Sequence, residues 1–420
     1  MLDIKFIKED PNKVKQGCKK KQVNIDIDLL LKKDKERIKI LQEVEVIRAE
    51  KNKSNKKITE AKDKNEKQKI IVAMQKIDKT GDNLEKKLNE LEQEIEKLAY
   101  RVPNMPLDNV PEGKDETGNL VLRKEGKVPE FDFEPKDYLE ISKQFDLIDI
   151  ERASKISGSR FGFLKNEIVF LEFALVNFVL ENLGEQGFIP VIPPIMMKSE
   201  KMRGMGYLEQ TDKDEAYYLP KDDLFLAGTS EQPLGAMHSD EIFDEKELPR
   251  RYVGFSSCFR REAGSYGKDT KGILRVHQFD KLEMFSFSKP EESEKEHQFL
   301  LKMEENLMRK LGLHYQVIHI CSGDLGLPAA TKYDIETWIP SQKIYRETHS
   351  VSNCTDFQSK RLNIRYRAKN NELKFVHTLN GTAFAIGRIL IAIIENYQQK
   401  DGTIKIPKAL HKYLNFKIIK

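Results

Sequence analysis

The chain has 420 residues, 39% hydrophobic and 33% charged, which is enough for two domains and a large buried core. Its longest apolar run, Ile389 to Ile394, is far short of the roughly 20 residues of a membrane span, and MLDIKFIKEDPNKVK lacks the apolar stretch of a secretory leader. Cys18, Cys258, Cys321 and Cys354 lie far apart with no CxxC pair, which argues against a zinc knuckle or disulfide framework and for a reducing, cytoplasmic setting.

The net charge of +4 is unevenly spread. Residues 1–100 carry 26 Lys and Arg against 20 Asp and Glu, and the rest of the chain 46 against 48. Within residues 48–79 the count is 11 basic against 5 acidic, a pattern that suits either a solvated lysine-rich face or a nucleic-acid contact. Leu84, Leu88, Leu91, Ile95 and Leu98 recur at spacings of 4, 3, 4 and 3, the seam of one helix against another. An earlier helix from about Asp28 to Asp63 offers a partner seam through Ile38, Leu41, Val44 and Ile47. The polar KDKNEKQ at 62–68 reads as the turn between them, predicting an antiparallel hairpin about 50 Å long that projects from the body with its basic stretch outermost.

After Tyr100 the composition changes. Pro103, Pro106 and Pro111 mark a linker, which sets domain boundaries at 1–103 and 104–420. Helical patterns near 136–146 and 165–184 are followed by runs of alternating strands. Strands in runs predict an α+β domain with a mainly antiparallel sheet flanked by helices. The chain ends about thirty residues past the last strand–helix unit, too soon for a further C-terminal domain.

Four segments set polar groups into apolar surroundings. GFIPVIPPI (Gly187–Ile195) is a simple loop or an edge strand, since Pro190, Pro193 and Pro194 cannot hydrogen bond fully in mid-sheet. In the hairpin Arg251–Ser288, alternation puts Cys258, Arg260 and Glu262 on one face and Arg275, His277, Phe279, Lys281 and Glu283 on one face of the return strand. Arginine grips phosphate as a fork and phenylalanine offers a base a stacking surface, although a solvated strand face reads the same way. The connecting loop, with Gly264, Gly267, Gly272, Lys268 and Lys271, suits contact with a polyanion. In LFLAGTSEQPL, Thr229 and Gln232 form a capping-box pair or line a ligand site. In KFVHTLNGTAFAIGRILIAIIENY a strand meets a helix through Asn380–Gly381–Thr382. Arg388 is there the one charge between Ala383 and Ile394, so it is paired, serves a site, or snorkels to the surface.

In this order the segments resemble the three motifs of class II aminoacyl-tRNA synthetases, and in detail the seryl family. GFIPVIPPI is similar to the dimer-forming motif 1, FRRE (Phe259–Glu262) with its hairpin to motif 2, and NGTAFAIGR (Asn380–Arg388) to motif 3. TSE at Thr229–Glu231, AGSYGKDTKG at Ala263–Gly272, HQFDKLE at His277–Glu283 and ETHSVSN at Glu347–Asn353 resemble seryl-specific pieces, and the N-terminal hairpin resembles the bacterial-type tRNA-binding arm.

The resemblance implies an ATP-dependent ligase that converts L-serine to seryl-adenylate and passes it to the 3′ end of tRNA(Ser), leaving open tRNA(Sec). It implies that Arg260 holds the α-phosphate, Phe279 stacks on adenine beside Glu262, and Arg388 clamps the γ-phosphate, with Arg260, Glu262 and Arg388 as the catalytic set. Arg261, Thr348 and His349 join the ATP-binding positions, and Glu347 and Ser350 hold Mg²⁺. Thr229, Ser230, Glu231, Glu283, Asn380 and Thr382 correspond to serine-binding positions. ATP and Mg²⁺ are the implied cofactors, zinc is not among them, and the implied partners are tRNA and a second copy of the chain, with no membrane. Two departures stand out: His349, where the family often has a small serine, and Thr382, where motif 3 often reads NGS. The alternative is a synthetase-derived protein that binds tRNA without charging it.

Overall fold

The computed structural model describes residues 4–60, 62–208, 212–263 and 271–420, and the chain divides into two compact units. The first holds residues 23–102 with the short helices Ile4–Glu9 and Pro11–Lys20 before them. Its long helices are α1 (Ile27–Glu60) and α2 (Lys64–Arg101), which pack side by side. The turn is shorter than the polar run suggested: of residues 62–68 only Lys62 and Asp63 lie outside the helices, and the Asn65 amide donates to the Asp63 carboxylate at 3.3 Å. Polar residues here favour helix once a cap starts it.

The seam differs from the expected one at a single position, Ile40 taking the place of Ile38. Ile40 and Val44 of α1 are buried against Leu88 and Leu91 of α2, with Leu41, Leu84 and Ile95 at the margins, while Ile38 is 36% exposed. Leu30 and Asp34, earlier on the same helix, are buried as well. Asp34 is held by Lys8 and by Arg37 Nε at 2.9 Å. Interhelical ion pairs such as Lys33–Glu94 (2.6 Å) and Lys51–Asp78 (2.7 Å) are solvent-screened surface contacts that set register more than stability. At Gly81 a Cβ would lie 3.1 Å from Ile47 Cγ2, so glycine lets the helices approach closely.

The second unit, from Pro103 onward, is built on an eight-stranded sheet: β1 (Leu120–Glu125), β2 (Ile189–Val191), β3 (Arg250–Phe259), β4 (Gln278–Ser288), β5 (Tyr315–His319), β6 (Thr331–Ile339), β7 (Ile344–Asn353) and β8 (His377–Ala385). The spatial order is β1-β5-β6-β7-β8-β4-β3-β2, antiparallel throughout except for β2 beside β3. Helices α3 (Glu167–Gly184), α4 (Ser199–Met205), α5 (Glu231–Ala236), α6 (Ser293–Leu311), α7 (Phe357–Leu362) and α8 (Ile386–Asn396) complete the frame. Alternation sorts the strands: Leu282, Tyr333, Ile335, Val351, Leu379 and Ala383 join the core with α3, α6 and α8. Their neighbours Lys332, Ser350, Ser352, Asn380 and Thr382 face the opposite side and line a cleft.

Pro190 sits in the outermost strand, where a missing N–H costs no ladder bond. Asn380–Gly381–Thr382 is no junction: β8 runs through it and the helix starts at Ile386. The glycine answers a close approach, since a Cβ on Gly381 would lie 3.0 Å from Glu304 Oε1 and 3.1 Å from Met284 Cε. Strand β3 ends at Phe259 and β4 begins at Gln278, so simple alternation does not carry Arg260, Glu262, Arg275 or His277, and Glu262 turns the chain with φ 52°. Gly264, Gly267 and Lys268 of the connecting loop lie outside the described residues. Among the described residues no helix is long and apolar enough to cross a membrane.

Candidate active site

The cleft has a volume of about 520 Å³ and lies over strands β3, β4, β6, β7 and β8. At one end Arg260 leaves the end of β3, and its Nε donates to the Gly228 carbonyl at 3.0 Å. That bond fixes the plane of the guanidinium, whose carbon lies 5.3 Å from the centre of the Phe279 ring. His277 supports the same turn by donating from Nδ1 to the Arg260 carbonyl at 2.9 Å. Glu262, 12% exposed, accepts from Arg275 at 3.0 Å. A planar cation and an aromatic face are thus fixed side by side, with an ion pair closing the wall.

Farther along, Arg388 at the start of α8 donates to the Glu347 carbonyl at 2.7 Å and lies 3.5 Å from its carboxylate. Enclosure by the cleft raises the Glu347 carboxyl, but Arg388, Lys332, Arg260 and Lys281 outweigh it and bring it down to about 2. Ser350 faces the same space, its hydroxyl 3.5 Å from that of Thr382. An ionised carboxylate and a loosely held hydroxyl are hard oxygen donors, so the pair fits Mg²⁺ completed by phosphate oxygens and water. Among the described residues no group of three or more His, Cys, Asp or Glu side chains forms a further metal cluster.

The floor is acidic and buried. Glu283, 1% exposed, meets Lys281 Nζ at 2.5 Å and the hydroxyls of Thr229 and Thr382, each at 3.4 Å. Lys281 also donates to the Thr229 hydroxyl at 3.2 Å. Glu231 accepts from Tyr207 at 2.6 Å and from Gln358 and Asn380 at 3.1 Å. The capping box expected of Thr229 and Gln232 does not form, because Ser230 is the cap residue of α5 and its side chain makes no cap bond. Gln232 reaches back to accept from the Gly228 amide at 2.8 Å, and the Thr229 hydroxyl accepts from the Glu231 amide at 3.3 Å. The same threonine faces the cleft.

Thr229, Glu231, Arg260, Glu262, Phe279, Glu283, Glu347, Thr348, Ser350, Asn380, Thr382 and Arg388 all line this cleft. Ser230, Arg261 and His349 do not. Ser230 is fully buried against the Ser256 hydroxyl at 2.7 Å. Arg261 is turned outward over the Tyr217 ring at 5.3 Å, its amide bonded to the Glu215 carbonyl. His349 follows an irregularity in β7 and points into the core against Phe384, where burial lowers its imidazole to about 3. It is therefore a neutral core group that does not line the cleft, linked to it through the Thr348 hydroxyl at 2.8 Å. Sequence reading missed roles for Lys281, Tyr207, Gln358 and Lys332. Only Lys281 carried a signal, alternating with Glu283 on one strand face.

A family model described as tRNA synthetase class II core domain (G, H, P, S and T) matches residues 216–397, so the body is a class II aminoacyl-tRNA synthetase core. A second, described as seryl-tRNA synthetase N-terminal domain, matches residues 1–106. The serine–tRNA ligase of Thermodesulfovibrio yellowstonii is 42% identical over 425 residues, covering 100% of both chains. The crystal structure of seryl-tRNA synthetase from Pyrococcus horikoshii complexed with ATP superposes with a TM-score of 0.90 at 42% identity, covering 100% of this chain and 99% of that one. The cytoplasmic serine–tRNA ligase from Naegleria fowleri in complex with AMP gives 0.85 at 30% identity, with 100% and 99% covered. The chain belongs to the seryl-tRNA synthetase family, ATP-dependent ligases of class II.

Proposed function

We propose that the cleft binds ATP along Phe279, Arg260 and Arg388, binds L-serine on its acidic floor, and joins them as seryl-adenylate. The observation that carries this reading is the continuity of one cleft from the Arg260–Phe279 pair to the buried Glu283–Lys281–Thr229–Thr382 cluster. Adenine stacks on Phe279 beside Glu262, Arg260 grips the α-phosphate, and Arg388 grips the γ-phosphate. Serine places its ammonium near Glu231 and its hydroxyl near Glu283 and Thr382. Its carboxylate oxygen attacks the α-phosphorus, the bond to the bridging oxygen breaks, and pyrophosphate leaves with that electron pair. Catalysis is alignment plus stabilisation of charge at the α-phosphate by Arg260, and no covalent nucleophile is needed. Glu347 and Ser350 would hold Mg²⁺, which when bound offsets phosphate charge. The 3′-terminal ribose hydroxyl of tRNA(Ser) then attacks the seryl carbonyl and AMP leaves.

Alanine is rejected because its methyl leaves the buried Glu283 and Thr382 without the partner that serine supplies. The first unit is assigned to tRNA binding, with the basic stretch 48–79 on phosphates. A homodimer is supported by exposed apolar side chains at the sheet edge and on α3, with Phe170, Phe173 and Ile192 at 63, 57 and 85% exposure. All four cysteines are buried, which suits the reducing, cytoplasmic setting proposed for the chain. The non-charging alternative calls for a broken cleft, whereas Arg260, Glu283 and Arg388 all line it. The test is pyrophosphate exchange with two variants. Arg388→Ala should raise KM for ATP and Glu283→Gln should raise KM for serine, whereas the reverse pattern would reject the assignment of the two ends.

A further inference from the structure

Glu231 is 5% exposed at the first position of α5, and its surroundings work against its charge. Burial and then the neighbouring Glu283 push its carboxyl above the usual range, opposed by Tyr207, Lys281 and Gln358. The charged and titratable groups around it are Lys281 and Glu283 from β4, Cys354 just after β7, and Tyr207 from the segment after α4. The two oxygens of Glu231 are held differently. Oε1 accepts from Gln358 Nε2 and Asn380 Nδ2, each at 3.1 Å. Gln358 is fully buried and locked, its Oε1 taken by the Thr378 hydroxyl at 2.7 Å and its Nε2 also donating to the Met205 carbonyl at 3.2 Å. Asn380 is set by β8. Oε2, by contrast, is reached by the Tyr207 hydroxyl at 2.6 Å, and Tyr207 itself lines the cleft.

We propose that Tyr207 is a positioning residue for serine recognition, holding the Glu231 side chain aimed so that it pairs with the serine ammonium. The inference rests on the reading above that Glu231 meets the ammonium. A short hydrogen bond from a hydroxyl to a carboxylate is among the stronger kinds, and its loss falls more heavily on the charged form of the acid than on the neutral one. Two locked amides fix the position of Oε1 and so the pivot of the group. Tyr207 fixes its rotation and supplies the remaining compensation for a buried charge beside a second acid.

The test compares the full-length chain with Tyr207→Phe, which keeps the ring, and with Glu231→Gln, by pyrophosphate exchange across the pH range. For Tyr207→Phe the KM for serine should rise roughly tenfold or more, as loss of a hydrogen bond to a charged group implies, with KM for ATP unchanged. The acid limb of kcat/KM for serine should move up by about one pH unit, because Glu231 then holds its proton more tightly. A merely structural role would lower stability or kcat without moving that limb. An unmoved limb and serine KM in Tyr207→Phe, with serine affinity lost in Glu231→Gln, would overturn the role of Tyr207 alone. Normal serine affinity in Glu231→Gln would instead overturn the assignment of Glu231, and this inference with it.

Discussion

Glu283 and Lys281 form an ion pair 1% and 9% exposed in their side chains, with the hydroxyls of Thr229 and Thr382 hydrogen bonded to it. A buried charge pair of this kind adds little to stability but breaks at a cost when one partner goes. Glu283→Gln should therefore lower kcat/KM for serine by at least about 100-fold and narrow the preference over alanine. Exchange assays with both amino acids check this. Arg260→Ala removes the cation at the α-phosphate and should lower kcat by roughly 100-fold or more, read in single-turnover adenylate formation. Glu304 on α6 is a third acid behind the same sheet, fully buried, with neither carboxylate oxygen hydrogen bonded among the described residues. Burial, with Glu283 and Asp334 adding to it, pushes its carboxyl well above the usual range. The folded state thus holds that proton more tightly than the unfolded chain. The group's contribution is complete below the ordinary carboxyl value and is lost as pH rises toward the folded value. Glu304→Leu should accordingly stabilise the protein by roughly 1–3 kcal/mol at pH 8 and by less at pH 5, measured by denaturant unfolding. A larger gain at pH 5 would contradict the reading.

At the scale of elements, what the sequence disclosed depends on how local each determinant is. Leu84 to Leu98 show their repeat because helix periodicity is a property of neighbours in the chain. Their partner was read through Ile38 where Ile40 packs, because isoleucine stands at both positions, whereas Leu41 and Val44 lie in the seam. The motif residues on β4, β7 and β8 were found by residue type and order, and strand alternation then carried Glu283, Ser350 and Thr382 into one cleft. His349 was misread because an irregularity in β7 shifts the phase, and Asn380–Gly381 because a strand glycine required by Glu304 looks like a turn. Tyr207 and Gln358 act through contacts across 24 and 127 residues of sequence, which no local pattern reveals. The α1–α2 hairpin carries its basic excess at exposed positions such as Lys53, Lys56 and Lys57. Replacing these three by alanine should raise KM for tRNA(Ser) and flatten its salt dependence while leaving serine activation unchanged, with filter binding at several salt concentrations as the check. An equal loss in activation would overturn the assignment of tRNA contact to this hairpin.

For the molecule as a whole, chemistry is assigned to the unit built on the eight-stranded sheet and tRNA recognition to the helical unit. In the proposed homodimer a second copy of the chain covers the sheet edge, where Phe170, Phe173 and Ile192 are exposed. Phe173→Glu should shift the protein toward monomer in sedimentation equilibrium, and an unchanged mass would remove α3 from the interface. The central claim is that one cleft couples ATP to serine and to no near relative of serine. It is tested most directly by exchange of labelled pyrophosphate into ATP with the full-length protein and Mg²⁺, offering serine, alanine, threonine and glycine in turn. The account predicts exchange with serine and background with the other three. Exchange with none of the four, from folded protein, would contradict it and leave a tRNA-binding protein without an adenylating site.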